Sequence, residues 1–208
     1  EFVASGSEEG KGAGSRLLAS ARAEGLISAL DHRFAERMAT LAGDTRPGLC
    51  WALALACRQE AAGHVCADLS RLVRDGLVYE SGGIAGHANV LRTHPDLESW
   101  IAELRSSALV ASSSEAARAP LVLDSEGRLF LWRAHQSESA LATRILDRVG
   151  RPDLDLEWPG ADQAIARLAL GAEPAADPQT EDEGSAALRL ALARPLSIVT
   201  GGPGTGKT

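Results

Sequence analysis

The residues with the clearest chemistry stand together at one end of the sequence. Gly201-Gly202-Pro203-Gly204-Thr205-Gly206-Lys207-Thr208 matches the spacing of a phosphate-binding loop, G-x-x-x-x-G-K-[ST]. Glycines let successive backbone N–H groups turn inward around a β-phosphate. A lysine, here Lys207, reaches the β and γ oxygens, and a hydroxyl, here Thr208, takes a position on Mg²⁺. The pattern points to a nucleoside triphosphate bound with Mg²⁺. Lys207 is then the residue expected to carry catalysis, by stabilising phosphate charge.

Such a loop needs a strand before it and a helix after it. Residues 196–200 (LSIVT) are apolar and β-branched, run directly into Gly201 and predict the strand. The helix, whose positive N-terminal end would face the phosphates, would have to follow Thr208. The 208 residues by themselves are therefore expected to bind nucleotide weakly at best and not to hydrolyse it.

Other groupings are weaker. Cys50, Cys57, His64 and Cys66 place four potential zinc ligands within 17 residues. Structural zinc sites show cysteine pairs two to four apart, and no such pair occurs here, so small buried hydrophobes are the expectation for Cys50 and Cys57. His64, next to Gly63, reads either as an acid–base group or, preferably, as a histidine bonding the last carbonyls of a helix. Ser112-Ser113-Ser114-Glu115 has no evident base and reads as a loop or cap. Asp153, Asp155 and Glu157 could hold a hard cation, but they lack the glycine and distal glutamate of a calcium loop, which favours a polar turn. No nuclease carboxylate set is visible.

Length and composition allow one or two domains with an ordinary core: 208 residues, 45% of them hydrophobic, with a mean hydropathy of −0.06. The longest apolar stretch, CWALALAC at residues 50–57, is too short to span a bilayer, which predicts no membrane association and a cytoplasmic location. Three cysteines without paired spacing fit a reducing compartment. A net charge of −7 and 4% aromatic residues disfavour a large nucleic-acid footprint or base-stacking platform within these residues.

Four segments follow along the chain. Residues 1–22, rich in Gly, Ser and Glu, read as a flexible leader. Residues 23–170 read as a mainly α domain with a small β-hairpin. Its first helix has Leu26, Leu30, Phe34, Met38 and Leu41 on one side, Asp31, Arg33, Glu36 and Arg37 on the other, and Gly43 as its stop. A second helix, apolar on nearly all sides, starts after Pro47 and ends at Gly63. A short element lies at residues 69–73. A helix entered from residues 93–96 carries Leu97, Trp100, Ile101 and Leu104. Residues 120–124 and 128–132 flank a Gly-containing turn and predict the hairpin. Residues 135–149 return to helix, with Leu141, Ile145, Leu146 and Val149 on one side. Residues 171–184 hold two prolines and five acids and read as an acidic linker. Residues 185–208 then supply a short helix at 186–193, the first strand and the phosphate loop of a truncated α/β RecA-like domain.

Read together, the pieces resemble the RecD family, the alpha subunits of bacterial exodeoxyribonuclease V. Three matches carry the resemblance. Gly63-His64-Val65-Cys66-Ala67-Asp68-Leu69, with Ser70-Arg71-Leu72 behind it, is similar to the family's GHVC-acidic-Leu segment. Ala119-Pro120-Leu121-Val122-Leu123-Asp124 with Arg128-Leu129-Phe130-Leu131 is similar to its hairpin before the ATPase core. LSIVT followed by GGPGTGKT is similar to its first helicase motif. One departure is that the family's glutamine before the strand has Gln179 as its only nearby counterpart, a few residues early. The resemblance implies a 5′-to-3′ DNA helicase driven by ATP and Mg²⁺, working with RecB and RecC homologues on double-strand breaks. Residues 23–170 would dock onto RecB, and DNA would be held by parts outside these residues. The other reading is an interaction domain joined to an unrelated phosphate-loop ATPase.

Overall fold

The computed structural model describes residues 12–81, 84–113, 119–153, 160, 163, 165 and 183–202. The chain divides into two compact units, Glu1–Glu138 and Ser139–Thr208.

Three helices begin the described part: α1 (Ala13–Ala23), α2 (Ala29–Ala42) and α3 (Pro47–Ala61). Helix α2 starts where a capping box closes. Ser28 Oγ accepts the Asp31 N–H at 3.2 Å, and the Asp31 carboxylate accepts the Ser28 N–H at 2.7 Å. It stops at Gly43, whose φ of +68° is the left-handed conformation that a side chain disfavours. Helix α3 opens on Pro47, whose missing N–H costs nothing at a helix start. Residues 48–56 of α3 are all buried, so this helix is the axis of the core, as its all-round apolar sequence predicts.

Two expectations fail in this region. The leader predicted over residues 1–22 is helical from Ala13, and Gly14, Leu18 and Ala21 are buried. Residues 1–11 lie outside the described residues. Overall Gly/Ser content conceals a four-and-three apolar spacing, and Gly14 lets the helix approach Thr45 and Cys50 closely. The face of α2 also differs: Leu30 and Leu41 are exposed, while Ala35 and Ala39 face the core and Asp31 is buried. Against an alanine-rich neighbour such as α3, the small stripe gives the closest approach. Phe34 and Met38 pack at its margins.

After α3 come β1 (Ala67–Asp68), α4 (Leu69–Asp75) and a hairpin of β2 (Leu77–Ser81) and β3 (Ile84–Ala88). Then follow α5 (Leu97–Arg105), β4 (Val110–Ser112), β5 (Leu121–Leu123) and β6 (Arg128–Leu131). The sheet order is β1-β6-β5-β4, with β4 parallel to β5 and the other pairs antiparallel. The predicted hairpin is present as β5–β6, pairing Leu121 with Leu131 around a turn in which Gly127 has φ +78°. Hairpin β2–β3 was not anticipated. Two buried tryptophans tie the core together: Trp51 Nε1–H donates to Val90 O, in the segment after β3, at 2.8 Å, and Trp100 Nε1–H of α5 donates to Gly48 O at the start of α3 at 3.0 Å.

The division between units falls inside α6 (Trp132–Val149), earlier than the boundary expected near residue 170. On α6, Leu141, Ile145, Leu146 and Val149 are exposed. The second unit also contains α7 (Glu183–Ala193). The acidic linker expected over 171–184 lies outside the described residues except for Glu183 and Gly184, which begin α7. The strand expected at 196–200 takes part in no ladder among the described residues, and Ile198 is 80% exposed. An extended segment with no neighbouring strand has nothing to accept or donate its ladder bonds.

Candidate functional site

Of the predicted phosphate loop, Gly201 and Gly202 are exposed and lie outside any helix or strand. Pro203, Gly204, Thr205, Gly206, Lys207 and Thr208 lie outside the described residues. In the first unit a cleft of about 330 Å³ lies beside the Gly63–Leu69 segment. Arg58, Gln59, His64, Cys66, Asp68 and Arg71 contribute to its walls.

Each residue of that segment has a local structural reason. Gly63, at φ +86°, ends α3, and the N–H groups of Gly63 and His64 bond Glu60 O and Gln59 O, both at 2.9 Å. Ala67 is buried and pairs with Leu129. Asp68 caps α4 by accepting the Arg71 N–H at 2.8 Å. Leu69 is fully buried, and its N–H donates to Gly127 O at 3.2 Å. The segment is thus a turn that carries the chain from the core helix into the sheet and straight on into the next helix. His64 and Val65 are left exposed on it. It is the backbone of His64 that closes the helix; among the described residues its ring makes no hydrogen bond to the last carbonyls.

The cysteines are poor nucleophiles in these surroundings. Burial, assisted by the nearby carboxylates of Asp44 and Glu103, pushes the Cys50 thiol up to about 11. Burial and the adjacent Asp31 carboxylate push Cys57 up to about 12, and burial also raises Cys66. Cys50 is buried, as expected, whereas Cys57 and Cys66 are half-buried. Among the described residues no three His, Cys, Asp or Glu side chains converge to hold a metal ion. Arg58 is anchored in the cleft wall by donating to Val78 O at 2.5 Å, and burial pulls its guanidinium below the usual value. Asp153 pairs with Arg194 at 3.4 Å. Asp155 and Glu157 lie outside the described residues, as do Ser114 and Glu115 of the serine run.

A geometry missed from sequence lies at the start of α3. Arg46, the N-cap, offers no side-chain cap, and Glu103 from α5 supplies one: its Oε1 accepts the Leu49 N–H at 3.0 Å. Its Oε2 pairs with His94 Nε2 at 3.0 Å. Alongside, Asp44 bonds Arg46 and Ser107, and the Arg46 guanidinium lowers the Asp44 carboxyl to about 2. The first unit thus carries a cleft of mixed polar and apolar lining and a charged seam at the start of α3.

The family described as the N-terminal domain of the RecBCD enzyme subunit RecD matches residues 23–130, just over half of the chain and the stretch from the end of α1 to within β6. The chain belongs to the RecD N-terminal domain family. The RecBCD enzyme subunit RecD of Mycobacterium tuberculosis (strain CDC 1551 / Oshkosh) is 30% identical over 184 residues, covering 88% of this chain and 27% of that protein. The subunit of the same description from Mycolicibacterium smegmatis is 31% identical over 186 residues, covering 88% and 28%. The chain therefore spans little more than a quarter of the length of these curated relatives. The RecD N-terminal domain is thereby placed on α2 to β6, the region that holds the cleft and the Glu103 cap. Among the described residues no helix is long and apolar enough to cross a membrane.

Proposed function

We propose that this chain is part of an ATP-dependent 5′-to-3′ DNA helicase subunit, within a helicase–nuclease complex that processes double-strand breaks for recombination in the cytoplasm. In this reading the first unit is a protein-docking module, inactive by itself, that joins the motor to RecB and RecC homologues. The family match over residues 23–130 carries the reading.

In the full-length protein, the backbone of Gly201 to Gly206 would hold the phosphates of ATP, Lys207 would stabilise charge on the β and γ oxygens, and Thr208 would take a place on Mg²⁺. DNA would be held by parts of the motor beyond these residues. Lys207→Ala in the full-length protein tests the division of labour. ATP hydrolysis and unwinding should be abolished while co-purification with the RecB and RecC homologues persists. Loss of assembly would show that docking and catalysis are not separate, and retained hydrolysis would sink the ATP-site assignment.

A further inference from the structure

We infer that the outward stripe of α2 is the contact through which the first unit grips its protein partner, and that the partner presents an apolar strip bordered by carboxylates. The inference rests on the docking reading above and names the face that does it.

Leu30, Phe34, Arg37 and Leu41 fall within about 60° of helix arc and span roughly 16 Å along the axis, with Arg33 beside them. Leu30 is 68% and Leu41 65% exposed, at the two ends of the stripe, while Phe34 is half-buried between them. Leucines this open on a helix whose other side already packs on the core are surface the domain itself leaves uncovered.

The charges on the stripe say what covers it. Arg33 and Arg37 are exposed and make no ion pair or hydrogen bond among the described residues. The two acids of α2 are otherwise engaged: Asp31 is buried in the capping box, and Glu36 accepts a hydrogen bond from Ser15 Oγ at 3.0 Å. The chain as a whole carries −7, so two unpaired cations flanked by leucines stand against its prevailing sign. A two-fold contact with a second copy through this stripe would bring its arginines against each other. A nucleic-acid backbone would answer the arginines and leave the leucines wet. An acidic protein surface with an apolar centre satisfies both.

The test measures binding of the wild-type chain, of Leu30→Ser/Leu41→Ser and of Arg33→Glu/Arg37→Glu to the RecB–RecC homologue pair from the same genome, with circular dichroism to confirm that each variant is folded. All four positions are open to solvent, and the charge-reversal pair removes no apolar contact, so it remains informative if the leucine pair loses helix. Both variants should bind roughly 10- to 100-fold more weakly, the charge-reversed one losing the wild type's salt dependence. Wild-type affinity in both variants would overturn the α2 face and leave the docking reading standing. No binding by the wild type would sink the docking reading and this face with it. Self-association of the wild type abolished by the same changes, or a DNA oligonucleotide released by them, would overturn the assigned partner chemistry.

Discussion

Glu103→Ala should destabilise the first unit by about 3 kcal/mol, although residue 103 lies at the edge of the core. The contribution comes from three sources. Glu103 Oε1 accepts the N–H of Leu49, a fully buried residue, so truncation leaves that donor unsatisfied at a cost of about 1–3 kcal/mol. Its charge sits at the positive end of α3, worth about 0.3–1 kcal/mol. It also pairs with His94 at 3.0 Å, where the two side chains are only 18% and 13% exposed. Glu103→Gln separates these effects, because the amide oxygen still accepts from Leu49 while the charge is gone; a loss of about 1 kcal/mol is expected. Urea unfolding followed by tryptophan fluorescence reads both variants, since Trp51 and Trp100 are buried around this helix start. A loss below about 0.5 kcal/mol for the alanine variant would refute the capping argument. Equal losses for alanine and glutamine would assign the effect to the carboxylate charge instead of the hydrogen bond to Leu49.

Two further predictions concern the same core. Asp44 has its carboxyl lowered from 3.8 to about 2, so its contribution is present above pH ~4 and fades as pH falls toward 2; because Arg46 is 40% exposed, that contribution is about 1–2 kcal/mol after screening. Asp44→Asn should therefore be less stable than wild type at neutral pH and converge with it near pH ~2, and a gap that stays constant across an acid titration of chemical-denaturation curves would refute the ion-pair account. Gly14→Ala places a Cβ 2.6 Å from the Thr45 carbonyl oxygen and 2.6 Å from Cys50 Sγ. A backbone atom cannot rotate away, so the variant should lose about 1–3 kcal/mol despite alanine's better helix propensity; a melting temperature at or above wild type would contradict it.

Where periodicity and punctuation agreed, the sequence was readable. The Pro47 start, the Gly63 stop and the apolar run between them define α3 because each is a local, backbone-level requirement. Asp96 and Gly127 mark the start of α5 and the β5–β6 turn for the same reason. The orientation of α2 was not readable, because leucine and alanine both count as apolar and only the neighbour decides which stripe fits. Helix α1 was hidden by its Gly- and Ser-rich surroundings. Hairpin β2–β3 did leave a signal: Leu77-Val78-Tyr79 and Ile84 flank a Ser81-Gly82-Gly83 turn sequence, and a two-glycine connection is a hairpin marker. The capping of α3 by Glu103 left none, since it joins residues 54 apart and no local pattern encodes such a partner. For the phosphate loop the motif is plain, but its strand can form a ladder only with neighbours, and none pairs with it among the described residues.

That distant cap has a consequence for biosynthesis. The ribosome delivers residue 49 well before residue 103, so the central helix emerges with its first turn open, and the sides that α1 and α2 do not cover stay bare until 54 more residues have left the exit tunnel. The nascent domain can pack α1 and α2 on this helix but cannot complete its core. It must wait for the α5 stretch, and any pause in translation between the two lengthens the interval in which the most oily stretch of the polypeptide is available to chaperones or to neighbours on the same polysome.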